Sequence, residues 1–273
     1  MSKRVLRISS IINAKQRFIF NRYVAGSGVG GTNTSVRRAK LIRATRTSAF
    51  SSVPQPGPSA NGGSMLFVQN NSSPIVVQYP SAELEIGSQD FTIEWWQYWL
   101  GLGDFPRVFS IGSYDNNDIS ISISYEGVTY FWDNMTPIEL KNSNPPDNIW
   151  NHIAIVGSSG NQISFYINGV LQNRLDFNYS FTNNTLALTI GNENNSTIPT
   201  SNNFTGKLTN FRWVVGSQVY TSNFTPPTSP LTNIPGTKLL LLSTDEANVI
   251  KDSSNYNNTP TNIGVVYSSD NPF

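Results

Sequence analysis

The chain has 273 residues, 38% of them hydrophobic and only 13% charged, with no cysteine and a formal net charge of +1. That length holds one large β domain with an appendage, or two modest domains. The composition excludes a disulfide framework and thiolate chemistry, and no apolar run approaches the ~18 residues needed to span a bilayer.

The near-zero charge conceals a division. Residues 1–82 hold 11 of the 18 bases and no acid, and residues 83–273 hold the other 7 bases and all 17 acids. Such asymmetry between halves signals a partner rather than a fold. Residues 1–50 read as a basic extended arm. Its bases include Lys3, Arg4, Arg7, Arg17, Arg22, Arg37, Arg38, Lys40, Arg43 and Arg46. They alternate with Val5, Leu6, Ile8, Phe18, Ile19, Phe20, Leu41 and Ile42. A solvated nucleic-acid tail is charge-dense and flexible, whereas this arm carries apolar surface that must be buried somewhere. It therefore reads as an assembly arm that orders on docking, and nucleic acid is the weaker partner. Its first stretch, "VLRISSIINAKQRF", is interrupted by Arg7, Asn13, Lys15 and Arg17. It lacks the continuous apolar region of a cleaved signal, so the expectation is use without secretion by that route.

Residues 51–64, "SSVPQPGPSANGGS", have the composition of a linker. From residue 65 the chain reads as strand after strand: "MLFVQ", "PIVVQY", "FTIEWWQYWL", "RVFSIGS", "DISISISY", "VTYFW", "NHIAIVGS", "ISFYIN", "LALTIGN", "GKLTNFRWVVG" and "TKLLLLS". Period-two or β-branched runs are separated by Gly, Asn, Asp or Pro at sandwich spacing. Asn168-Gly169 in "YINGVL" predicts a type I′ hairpin turn. No long helix is required in 65–273.

Three stretches, in order, carry a resemblance. "FTIEWWQYW" follows an opening strand, "WNHIAIVGSSGNQISFYINGVLQN" forms a central hairpin, and "FTGKLTNFRWVVGSQVYTSNFTPPTSPL" closes the pattern. Together they resemble the laminin-G-like, concanavalin-A-like jelly-roll sandwich over 65–273. The fold class expected is all-β, one such sandwich preceded by the arm. The tail after "TKLLLLS" is also similar to copies of this domain in virion proteins of large DNA viruses and tailed phages. The basic "RRA…R" segment resembles the N-termini of minor capsid proteins of large viruses.

Chemistry is sparse. Glucanases of this fold carry a cluster of carboxylates on one strand face. Here Glu83, Glu85, Asp90 and Glu94 fall across a loop and a strand start. With one histidine and no cysteine, no nucleophilic triad or zinc site assembles, so the protein is read as no enzyme. His152 and the strand-borne Trp95, Trp99 and Trp150 read as packing residues. Asp115 and Asp118 in "SYDNNDIS" offer hard oxygen ligands, which makes calcium the one cofactor to consider. Residues 191–203, "GNENNSTIPTSNN", offer polar groups to sugar hydroxyls.

The expectation is a non-enzymatic virion structural protein, a minor capsid or decoration protein assembled in the host cytoplasm or nucleus. Its arm would bind other capsid proteins or further copies of itself. The alternative is a lectin-like module that attaches to a host glycan, and exposed aromatics in rim loops would favour it.

Overall fold

Period-two patterning builds two antiparallel sheets packed face to face. The structure, a computed structural model, describes residues 62–68, 75–77, 84–103, 105–112, 121–133, 135–182, 187–192 and 203–273. The first sheet contains β1 (Ser64–Phe67), β3 (Phe91–Trp99), β8 (Trp150–Ser158), β9 (Gln162–Ile167), β10 (Val170–Asp176), β12 (Gly206–Val215), β13 (Thr237–Leu241) and β15 (Val266–Ser268). Its order is β10-β9-β8-β3-β12-β1-β15, with β13 pairing the second half of β12. The second sheet contains β2 (Ile75–Val77), β4 (Arg107–Ile111), β5 (Ile121–Tyr125), β6 (Thr129–Asp133), β7 (Thr136–Lys141), β11 (Leu188–Ile190) and β14 (Pro260–Asn262). Its order is β14-β2-β11-β4-β5-β6-β7. This is the all-β jelly-roll sandwich expected, with a short 3₁₀ turn at Glu246–Asn248.

The central strand β3 sets the pattern. Phe91, Ile93, Trp95 and Trp99 point into the space between the sheets and are buried there. From the facing sheet they meet Phe109, Ile123 and Phe131, with Trp95 edge-on to Phe109 at 5.9 Å. Burying each such side chain contributes roughly 1.5–3 kcal/mol, so this row is a main source of stability. One polar group joins the sheets inside the core. Gln97 Oε1 accepts from Trp95 Nε1 at 2.8 Å and from Tyr125 of β5 at 2.7 Å.

The Asn168-Gly169 turn forms as predicted, with φ of 50° and 74°. Gly169 is needed for a second reason, because a Cβ there would stand 1.9 Å from the Phe224 carbonyl oxygen. Strands β7, β10, β14 and β15 extend the sheets beyond the runs read from sequence, apart from the "VL" that opens β10. The arm, and the linker up to residue 61, lie outside the described residues.

Candidate functional site

The outer face of the first sheet carries an unusual set of side chains, and a β-bulge puts them there. On β12, Thr209 stands opposite Trp96 and Arg212 opposite Glu94, so Asn210 and Phe211 together face Trp95. Asn210 takes the left-handed conformation, φ 52°. The extra residue reverses the alternation. Phe211 and Trp213 then point into the core, and Arg212 turns outward beside Glu94.

There a buried charge network forms. Glu94 is fully buried, and Arg212 is 4% exposed. Arg212 Nε donates to Glu94 Oε1 at 2.9 Å, and Nη2 donates to the same oxygen at 2.5 Å. His152 Nε2 lies 3.0 Å from Oε2, and the Tyr220 hydroxyl donates to Oε2 at 2.7 Å. Burial acts to raise the Glu94 carboxyl. The His152 hydrogen bond, the Arg212 and His152 charges and the Tyr220 hydroxyl outweigh it and hold Glu94 below its ordinary value. Burial first, and then the Glu94 charge, push the Tyr220 hydroxyl well above its usual range.

This network fastens a strap, residues 217–235, across the sheet. Arg212 Nη1 donates to Thr232 O at 2.8 Å, and Leu231 N donates to Asn210 Oδ1 at 2.6 Å. Phe224 N donates to Gly169 O at 2.9 Å, which closes the strap onto the hairpin. Beneath it Tyr220 stacks on Phe224, and both pack with Ala154, Val156 and Tyr166. Glu94 is thus committed to a structural clamp. His152 is the packed histidine that its strand setting implied.

Beside the strap the same face is only partly covered, by Asp270 and Phe273 of the C-terminal residues. Trp96, Tyr98 and Trp150 are half-buried there. Tyr98 and Trp150 stand opposite each other on β3 and β8, edge to face at 5.9 Å. Phe273 meets Trp96 edge-on at 5.9 Å. Lys207 Nζ sits 5.0 Å from the centre of the Tyr98 ring and pairs with Asp270, whose Oδ1 lies 3.5 Å from Trp150 Nε1. The result is a ledge of aromatic faces bordered by an ammonium and a carboxylate. Such rings present C–H-accepting π surface, although the Trp96 indole nitrogen is itself buried.

The ledge corrects one expectation and refines another. Trp95 and Trp99 are core anchors as read, but Trp150 is not, because it pairs with outward Tyr98 while its neighbour Asn151 points inward opposite Gln97. The aromatics of this ledge are half-buried strand residues, and the exposed aromatics Phe105 and Tyr256 lie in loops elsewhere. Asp115 and Asp118, the arm bases from Lys3 to Arg46, and most of loop 191–203 lie outside the described residues. Among the described residues no three acidic or histidine side chains gather to hold a metal, and no helix is long and apolar enough to cross a membrane. Of the four acids weighed for catalysis, Glu94 is on β3, Glu85 and Asp90 precede it, and Glu83 is outside the described residues. The Glu94–His152–Arg212 grouping was not legible beforehand. Its only trace is an acid in the middle of "FTIEWWQYW" and a base in the middle of "NFRWVV".

Comparison with known proteins bears on the fold. Among solved structures, a candidate carbohydrate binding protein from Bacteroides ovatus superposes with a TM-score of 0.58 at 16% identity, over 76% of this chain and 60% of that one. The chain therefore spans less than two thirds of that protein. A SAP-like pentraxin from Limulus polyphemus gives a TM-score of 0.49 at 11% identity, over 77% of this chain and 95% of that one. Domains LG4-5 of the mouse laminin alpha1 chain give 0.40 at 14%, over 60% and 45%. No curated protein sequence matches the chain. Residues 71–217 match the family model of the concanavalin A-like lectin/glucanases superfamily, and this chain belongs to that superfamily.

Proposed function

We propose that the sandwich is a carbohydrate-binding module whose site is the ledge of Trp96, Tyr98 and Trp150. The observation that carries this reading is the pairing of half-buried aromatic rings with the Lys207–Asp270 ion pair on one sheet surface. A sugar ring offers apolar C–H faces and equatorial hydroxyls. The aromatic faces suit the first, and the carboxylate and ammonium suit the second. The likeness to the Bacteroides protein supports the fold that such a module uses. The reading is binding without catalysis, because the one carboxylate in mid-β3, Glu94, is sealed under the strap and held by three partners. The test is a glycan array probed with the full chain and with Trp150→Ala. The expected result is a defined set of bound glycans, lost in the variant. Equal binding by both proteins would remove the ledge from consideration.

A second reading, a virion structural protein held to its neighbours by the arm, is supported by the charge division at residue 82 and by the apolar residues within the arm. Limited proteolysis of the free protein and of its native assembly tests it. The reading requires that residues 1–50 be cut in the first and protected in the second, and equal cutting in both would contradict it.

A further inference from the structure

A separate recess lies at the other end of β12. Its wall strand β13 joins β12 at Val214–Thr237. The ledge meets β12 at Lys207, seven residues earlier, or roughly 20 Å along a strand. The recess has a volume of about 450 Å³, and Asn233, Gly236, Thr237, Asn255 and Tyr256 are among its lining residues. That volume lies within the ~300–1,000 Å³ of small-molecule sites.

Both walls are rigid. On one side Thr237 N donates to Ile234 O and Ile234 N donates to Thr237 Oγ1, each at 3.0 Å. Gly236 turns the chain at φ 84°, and a Cβ there would meet Val215 O at 2.5 Å. On the other side the buried Asp252 carboxylate accepts from Leu240 N, Ser254 N, Ser254 Oγ, Asn258 N and Asn258 Nδ2. Ser254 Oγ in turn accepts from Tyr256 N at 3.2 Å. The loop is therefore fixed before any ligand arrives, which lowers the cost of binding.

What the walls present is specific in kind. Asn233 and Asn255 are exposed, and among the described residues their side-chain amides have no hydrogen-bond partner. Each amide offers both donors and an acceptor. Tyr256 is 44% exposed, with Lys238 Nζ at 4.4 Å from its ring centre and bonded to its hydroxyl. Among the described residues no carboxylate lines the recess. Free amides and the Tyr256 face that Lys238 leaves open match a hydroxyl-rich ring.

We infer that this recess is a second binding site, for one residue of a neutral saccharide, with Asn233 and Asn255 on its hydroxyls and Tyr256 against its C–H face. The inference takes its ligand class from the carbohydrate reading above but does not depend on the ledge.

The experiment is an amide-resolved NMR titration of the full chain with glucose, galactose, mannose and N-acetylglucosamine, and with sialic acid as the anionic probe. It is repeated on Tyr256→Ala, Trp150→Ala and the near-isosteric Asn255→Asp. At least one neutral sugar is expected to shift the amides of 233–237 and 253–257. Tyr256→Ala and Asn255→Asp should each weaken that binding tenfold or more, and Trp150→Ala should leave it intact. Shifts at the ledge with none at the recess would overturn this inference and leave the ledge standing. Shifts at the recess alone would sustain it and overturn the ledge. Silence at both sites, or a response at the recess to sialic acid only, would overturn it.

Discussion

Arg212 stands beside Glu94 because Asn210 and Phe211 occupy one position of the β12 ladder between them. Without that extra residue Arg212 would point into an aromatic core. With it, two buried opposite charges bond at 2.9 Å and hold the strap down. Removing one partner of a buried pair leaves an uncompensated charge, which costs about 3–5 kcal/mol. Glu94→Gln is therefore expected to lower unfolding stability by that amount in denaturant titrations. The double change Glu94→Leu with Arg212→Met should recover only part of the loss, because His152 Nε2 and the Tyr220 hydroxyl still lose their partner.

The same pair sets an acid limb. Glu94 is held below its ordinary value in the folded chain. Its contribution is fully present above the unfolded carboxylate value of about 4.3, and it is lost as pH falls through the lower folded value. Melting temperature should fall with acidification below that point, and the fall should be shallower in Glu94→Gln. Identical acid limbs in the two proteins would show that the clamp contributes nothing to the pH response.

Gly169 joins the hairpin to the strap. An alanine there must hold φ near 74° and push against Phe224 O. Gly169→Ala should cost about 1–3 kcal/mol. It should also speed hydrogen exchange at Phe224 N, whose acceptor is Gly169 O. Unchanged exchange at that amide would mean the strap does not rest on the turn.

Asp252 organises the last loop through five donors. Asp252→Ala strands buried N–H groups that had a charged acceptor and should cost about 3 kcal/mol or more. Proteolytic cleavage near 253–258 in the variant but not in the wild type is the expected readout.

The sandwich was legible in the sequence because its information is local. Alternation in "FTIEWWQYW" and the Asn168-Gly169 pair each state a geometry within a few residues. The face assigned to each aromatic was harder to read. "WW" must send one ring each way, and Trp150 follows the phase of Asn151, whose inward position is set by its pairing with Gln97 on another strand. Strands β14 and β15 are three residues long and exist by pairing with β2 and β1, so their own residues say little. The Glu94–Arg212 contact joins residues 118 apart through a bulge. No window along the chain holds that information.

Binding of sugar at the ledge can be read from the six tryptophans. Indole N–H signals are followed by NMR while the full chain is titrated with the best glycan from the array. Sugar at the ledge should shift Trp96 and Trp150, with the buried Trp95, Trp99, Trp132 and Trp213 unmoved. Saturation by a bound glycan with both ledge indoles unmoved would contradict binding there.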